Sequence, residues 1–308
     1  MSGMAITIPP SFAMRTVETF GVRGQAWLRD LPTIVSDLAH QWGLTTGEPF
    51  TLSYDYVIAV HLPAGTEAVL KIGVSDDQSY RAIAALRHYD GDGMCRLLES
   101  DVSRNAMLLE RLQPGEMLSK LAQSDDDAAT HIGAELMRAL WRPVPDHATF
   151  RPIAEWFNDA FSGHRAAYGG AGPLPESLFA YAERLATDLL HSTSNDVLLH
   201  GDLHHYNILA ANRAPWLAID PKGMYGDPGY EVGPFLLNPH LGGVELSRNR
   251  LSRRLDILAE HLDYDRERLR DWGIAHAVLS ACWSAEDHGR GWEAAIEAGE
   301  VLRRPPAL

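Results

Sequence analysis

Residues 198–209, Leu-Leu-His-Gly-Asp-Leu-His-His-Tyr-Asn-Ile-Leu, constrain the fold more than any other stretch of this chain. Residues 197–200 are an apolar approach and 208–210 an apolar exit, so 201–207 form a loop held at both ends. Residues 211–215 read as a turn and 216–219, Trp-Leu-Ala-Ile, as a second apolar run, so the two runs are expected to pair as a hairpin. That pairing puts Asn207 at the start of one strand and Asp220 at the end of the other, side by side. Asp202, Asn207 and Asp220 then stand in the order that phosphoryl transfer uses. Asp202 is the general base or orienting group for a hydroxyl, and Asn207 and Asp220 hold Mg2+ on nucleotide phosphates, which suits a hard cation bound by few protein oxygens. A plain polar turn is the bland alternative, and it leaves a buried strand ending in Asp220 with no partner for the carboxylate.

The 308 residues suffice for one large domain or two smaller ones with their own cores. Apolar residues make up 45%, which excludes disordered and fibrous classes. The net charge of -14 repels nucleic acid and anionic membrane and attracts cations, and it serves solubility equally well. With two cysteines, Cys95 and Cys282, no disulfide framework is expected and the chain suits a reducing cytosol. Residues 1–13 lack a basic n-region and carry Pro9-Pro10, which argues against a signal peptide. No apolar run approaches the roughly 18–20 residues that a membrane span needs. The expectation is a cytoplasmic protein, monomer or homodimer, with no nucleic-acid or membrane partner.

Residues 1–50 alternate short apolar segments with Gly and Pro, with a helix over 35–42. Residues 50–60, rich in Tyr, Val and Ile, read as strand, and 61–67 contain a turn. Residues 68–72 are a short apolar strand carrying Lys71, and a lysine at a strand edge or a phosphate contact both explain it. A helix over 78–89 and strands over 96–101 and 106–109 follow. The run Glu110-Arg111-Leu112-Gln113-Pro114-Gly115 breaks this pattern and predicts two lobes, 1–112 and 113–308, with a hinge near 110–113. Beyond it helices dominate. Ser124 with Asp127 predicts a capping box for a helix reaching Leu140, and Pro175 opens another with Leu178, Tyr181, Leu185 and Leu189 on one face. Leu269, Trp272, His276, Leu279 and Trp283 form a stripe that reads as core, His276 included.

The segment 200–209, with Ile219-Asp220-Pro221-Lys222-Gly223, Gly226-Asp227-Pro228 and Tyr230-Glu231-Val232, resembles the aminoglycoside phosphotransferases. These are small-molecule kinases built on the protein-kinase fold. The Asp-Pro-Lys-Gly form, in place of Asp-Phe-Gly, is similar to the aminoglycoside/hydroxyurea antibiotic resistance kinases, the branch that includes streptomycin 6-phosphotransferases. The resemblance covers roughly residues 50–290 and includes Val69-Leu70-Lys71-Ile72 and Leu108-Leu109-Glu110-Arg111-Leu112. It implies an α+β, bilobal protein-kinase-like fold with a small antiparallel β-rich N-lobe and a larger helical C-lobe. It implies ATP and Mg2+ as cofactors, Asp202 as catalytic base, and Asn207 and Asp220 as metal ligands. It further implies Lys71 on the α/β phosphates and backbone groups of Glu110 and Leu112 on adenine.

Two departures stand out. The family's glutamate on the first helix, which pairs with the lysine, aligns with Ala82, so Lys71 lacks that partner or uses another acid such as Asp76 or Asp77. The phosphate-covering loop over 52–56 has no glycine, so its amides approach phosphates less closely. The acceptor is expected in the helical lobe, a hydroxyl-bearing small molecule for which an acidic balance favours a cationic aminocyclitol. Glu231 and Asp227 are candidate acceptor residues, Glu231 alternatively bracing the next helix and Asp227 tying down the catalytic loop. Trp156, Trp283, Glu286 and Asp287 are weaker candidates. His200 is expected to brace the loop, and of His204 and His205 one packs against it while the other faces the cleft. Competing readings are a phosphotransferase of an unrelated metabolite, a pseudokinase-like binding module, and a metal-dependent phosphatase, which needs an Asp-x-His upstream of residues 201–205 and an Asn-His-Asp downstream, neither of which is present.

Overall fold

A helix, α1 (Pro10–Trp42), occupies most of a region where the sequence predicts only 35–42 as helical. The computed structural model describes residues 6–74, 77–193, 195–239 and 244–304, with backbone alone at 77–78, 244–247 and 287–288. Two residues misled the expectation for α1. Pro10 takes the first helical position, where no N–H is needed. Gly21, at φ 56 and ψ -132, marks a kink between two helical segments rather than an end. Trp27, Leu31, Val35 and Leu38 recur every three or four residues and give α1 one buried face.

That face belongs to the core of the first compact unit, which runs to Gly91 and includes Cys95–Leu112. After α1 come β1 (Thr45–Pro49), β2 (Tyr56–His61), β3 (Glu67–Ile72), α2 (Asp77–Tyr89), β4 (Leu97–Asp101) and β5 (Ala106–Glu110). The strands form one antiparallel sheet in the order β1-β2-β3-β5-β4. The strand expected over 50–60 begins only at Tyr56, and 50–55 lead into it. Alternation along β3 buries Ala68, Leu70 and Ile72 in the α1-facing core and turns Val69 and Lys71 to the other face.

The second unit comprises Asp92–Met94 and the chain from Gln113 onward. It contains β6 (Pro114–Met117), α3 (Leu118–Ala122), α4 (Asp126–Leu140), β7 (Arg142–Pro143), β8 (Arg151–Pro152), α5 (Ile153–Tyr168) and α6 (Glu176–His191). It continues with β9 (Val197–Leu199), β10 (Ile208–Ala211), β11 (Trp216–Ala218), β12 (Met224–Gly226), a short 3-10 turn (Pro228–Glu231) and α7 (Val232–Leu237). Three helices close it: α8 (Val244–Leu262), α9 (Arg266–His288) and α10 (Glu293–Arg303). Two small sheets, β11-β10-β6 and β7-β9-β12-β8, lie among these helices. The α9 stripe is buried at Leu269, Trp272, His276 and Leu279, and burial pushes His276 down to about 3, so it is a neutral core histidine. No described helix is long and apolar enough to cross a membrane.

The α4 cap differs from the expected box. Asp125 is the N-cap and accepts from the Ala128 N–H at 2.9 Å, while the Ser124 hydroxyl donates to the Leu121 carbonyl. The spacing is the expected one, moved along by one residue in a run of aspartates. The same run supplies the tie between α4 and α8. Arg254, fully buried, donates to both oxygens of Asp126 at 2.9 and 2.6 Å and to the carbonyls of Phe235, Leu236 and Asn238. Arg250 reaches Asp126 only at 3.9 Å. Arg254→Leu therefore strands a carboxylate and three carbonyls, and lowers the unfolding free energy in denaturant melts by about 3–5 kcal/mol. Arg253→Leu, at the exposed pair with Asp127, shifts it by less than about 1 kcal/mol.

Candidate active site

The expected hairpin forms. β10 and β11 pair with Ile208 opposite Ala218 and Ala210 opposite Trp216, and the Ile219 N–H donates to the Asn207 carbonyl at 2.9 Å. Asp220 follows at φ 63, a left-handed conformation that a short polar side chain adopts more readily than most. The chain then folds back along the loop, and the Lys222 N–H donates to the His200 carbonyl at 2.7 Å. Gly201 is what permits this approach. Its φ is 86, and a Cβ there would stand 3.0 Å from Met224 Sδ and 3.1 Å from Lys222 Cβ.

Three side chains hold the loop over 200–207 from within. Buried His200 donates from Nε2 to the Ile219 carbonyl at 2.8 Å and accepts the Asp202 N–H on Nδ1 at 3.2 Å. Burial pushes its pKa down to about 3, so it braces the loop as a neutral imidazole, the role expected of it. His205 packs inward, stacked on Phe235 at 4.0 Å, and burial lowers its pKa well below the usual range. Glu231, fully buried, accepts the N–H groups of His200 and Gly201 at 2.6 and 2.9 Å. Burial pushes Glu231 up to about 7 against these two hydrogen bonds, which lower it, and nearby Asp202 raises it further.

This geometry corrects two expectations. Glu231 and Asp227 are candidate acceptor residues by sequence, but both are buried and engaged internally. The task of tying down the loop falls to Glu231. Asp227 instead caps the 3-10 turn at the Gly229 N–H (2.7 Å), accepts from the Tyr264 hydroxyl at 2.6 Å and pairs with Arg268. A carboxylate so enclosed has no face to offer a diffusing molecule.

Around the loop's open side, Asn207 donates from Nδ2 to the Asp202 carbonyl at 2.9 Å, which leaves its amide oxygen for a cation. His204 Nε2 lies 3.6 Å from Asp202 Oδ1, so His204 is the histidine beside the carboxylate. Lys222 Nζ stands 3.1 Å from Asp220 Oδ2 and 3.7 Å from Asp202 Oδ2. Asp202, Asn207 and Asp220 are thus brought together, with Lys222 and His204 between them. Among the described residues no three His, Cys, Asp or Glu side chains are grouped to hold a metal. One amide and one carboxylate oxygen fit a Mg2+ that takes its remaining ligands from phosphates and water.

The first unit holds the other candidates. Lys71 Nζ pairs with Asp55 Oδ2 at 3.0 Å, both half-buried. On α2, buried Ala82 offers no acid; Asp76 and the Asp77 side chain lie outside the described residues. Asp55 was not among the sequence candidates. The available signal was alternation: Val57 is the β2 residue opposite Lys71, and Asp55, two residues before it, falls on the same side. Glu110 ends β5, its carboxylate accepting the Arg96 N–H at 3.0 Å, and Leu112 is buried. In the second unit Trp156 and Trp283 meet edge to face at 5.2 Å and Glu286 is exposed, while the Asp287 side chain lies outside the described residues.

Residues 41–288 match the family model for aminoglycoside/hydroxyurea antibiotic resistance kinases. The chain belongs to that family. Over 304 residues, 97% of each chain, this kinase is 34% identical to a streptomycin 6-kinase of Streptomyces glaucescens. It is equally 34% identical over 289 residues to a hydroxyurea phosphotransferase of Kitasatospora aureofaciens, covering 92% of this chain and 82% of that one. In fold it is similar to an aminoglycoside phosphotransferase solved with ADP and hygromycin B, at TM-score 0.60 and 16% identity over 90% of this chain and all of that one. A choline kinase of Streptococcus pneumoniae superposes at TM-score 0.61 with 13% identity, over 88% of this chain and 98% of that one. The α+β protein-kinase-like fold expected from the sequence is therefore the one observed, and this family member is an ATP-dependent phosphotransferase acting on hydroxyl groups.

The raised Glu231 has a pH signature. The folded state binds its proton more tightly than the unfolded chain, where the group titrates near 4.5. Its stabilising contribution is therefore complete below about pH 4.5 and is lost as pH rises through about 7. Chemical denaturation at a series of pH values from 4 to 8 should show a falling component in the native protein that Glu231→Gln lacks. A parallel pH dependence in the two proteins would remove the assignment.

Proposed function

We propose that this kinase moves the γ-phosphoryl group of ATP to a hydroxyl of a cationic aminocyclitol, with streptomycin as the first acceptor to try. Identity to a streptomycin 6-kinase along 97% of both chains carries the acceptor class. The net charge of -14 supports it, because guanidinium and ammonium groups gain charge-assisted hydrogen bonds in such a field. Hydroxyurea, the acceptor in another relative's name, is neutral and gains nothing from that charge. The protein acts in the cytoplasm as a monomer or homodimer, without nucleic-acid or membrane partners.

Asp202 orients or deprotonates the acceptor hydroxyl, and Asn207 and Asp220 hold Mg2+. The cation, when bound, neutralises charge on the nucleotide phosphates. In residues 1–112, Lys71 contacts the α/β phosphates, and Glu110 and Leu112 hold adenine through backbone groups; residues 113–308 carry the catalytic loop and the acceptor site. Asp55 takes over the positioning of Lys71, and that pair weakens the reading of a non-catalytic binding module. Glu286, exposed, and the Trp156–Trp283 pair are further candidate contacts for an acceptor.

The deciding experiment is ATP consumption with Mg2+ across streptomycin, other aminoglycosides and hydroxyurea, with mass spectrometry of the products. Asp202→Ala should lower kcat by about 10²–10⁴ with little change in melting temperature; full activity in that variant would sink the mechanism. Asp220→Ala should abolish the Mg2+ dependence of ATP binding measured by calorimetry. Asp55→Ala and Lys71→Ala should each weaken catalysis with ATP. Their effects should be non-additive, the double variant resembling Lys71→Ala alone. Additive losses would mean that Asp55 does not act through the lysine.

A further inference from the structure

The Asp-Pro-Lys-Gly stretch contains a lysine to which the roles above give no task. Lys222 reaches both acidic groups of the site, at 3.1 Å from Asp220 Oδ2 and 3.7 Å from Asp202 Oδ2. Its backbone is held to the His200 carbonyl, and its Cβ lies where any side chain at Gly201 would collide. The stem is thereby set beside the catalytic loop, with the side chain 24% exposed.

We propose that Lys222 is a catalytic residue, a cation that binds the non-bridging oxygens of the γ-phosphoryl group while it is transferred. This rests on the reading of Asp202 and Asp220 given above. Without a ligand, two carboxylates within reach of each other repel, and one ammonium between them offsets that repulsion. An ammonium has three N–H donors and no acceptor. Were Asp220 to hold Mg2+, Lys222 would keep a donor on Asp202 and could direct another to phosphoryl oxygens. In the transfer, the acceptor oxygen bonds to the γ-phosphorus and its proton passes to the Asp202 carboxylate. The bond from that phosphorus to the β,γ-bridging oxygen breaks, and its electron pair leaves on ADP. Lys222 keeps its proton throughout and exchanges one hydrogen-bond acceptor for another. A donor held where charge accumulates stabilises the transition state more than the ground state, so its removal lowers kcat more than it raises KM.

The competing role is that of a counter-ion alone, which affects stability but not turnover. Lys222→Ala, Lys222→Gln and Lys222→Arg separate the two, using an acceptor that the native enzyme phosphorylates. The expected result is a loss in kcat of about 10²–10³ for Ala and Gln, with KM for ATP changed less than about threefold and partial recovery in Arg. A second readout is calorimetric binding of MgADP with and without aluminium fluoride, a mimic of the phosphoryl group in flight. Native protein should bind MgADP more tightly with the fluoride, and Lys222→Ala should lose that gain while keeping its affinity for MgADP alone. Gln preserves most of the stem volume, so an unfolded Ala variant leaves both readouts intact. Native kcat in the Ala and Gln variants, a loss confined to KM, or an undiminished fluoride effect would overturn the proposal. If no acceptor on the panel is phosphorylated, the fluoride readout still decides for Lys222, and only the acceptor assignment fails. Native protein whose MgADP affinity ignores the fluoride overturns phosphoryl transfer at this site, and the role of Lys222 with it.

Discussion

One buried carboxylate holds the loop over 200–207 in place. Glu231 accepts the N–H groups of His200 and Gly201, the two residues before Asp202. A loop rich in polar backbone cannot enter an apolar interior unless its donors are met, and here a side chain some thirty residues downstream meets them. The neutral imidazole of His200 carries the tie onward to the Ile219 carbonyl, next to Asp220. Asp202 and Asp220 are thus positioned through one hydrogen-bonded chain rather than by the loop's own preference. The cost is visible in Glu231 itself, whose burial lifts it to about 7.

Each unit holds a lysine that faces acids. In the first unit Lys71 pairs with Asp55, which precedes β2, instead of with an acid on α2, where Ala82 is buried. The pair is equivalent in chemistry but differs in mechanics, because its acid rides on the segment leading into a strand rather than on a helix. In the second unit Lys222 stands between Asp202 and Asp220. Phosphoryl transfer is governed by positioning and charge neutralisation more than by any strongly shifted pKa.

Family membership fixes the reaction class more firmly than the acceptor. Relatives named for streptomycin and for hydroxyurea share the same 34% identity with this chain, over 304 and 289 residues. Within this chain the groups that hold the loop, Gly201, His200 and Glu231, are backbone-anchored and inward-facing. A fold and its motifs fix a reaction class, while acceptor choice is set by side chains that can change without disturbing the core.

The sequence alone determined the reaction chemistry, because spacing along a hairpin is a local property. Apolar runs on either side of a turn dictate which residues face each other, so Asp202, Asn207 and Asp220 were legible together. The resemblance of residues 200–232 to a kinase branch carried the fold as well. Tertiary structure alone decided the partners of groups distant in the chain. Asp227 and Glu231, four residues apart and alike in charge, take different tasks because one meets Arg268 and Tyr264 on α9 and just before it, and the other meets the loop. Helix α1 stayed hidden because Pro and Gly read as breakers, yet Pro10 sits where no donor is needed and Gly21 only bends the chain. Pairings such as Asp55 with Lys71, or Arg254 with Asp126, depend on where whole elements pack. No local pattern records that placement, since it follows from burying every apolar face at once.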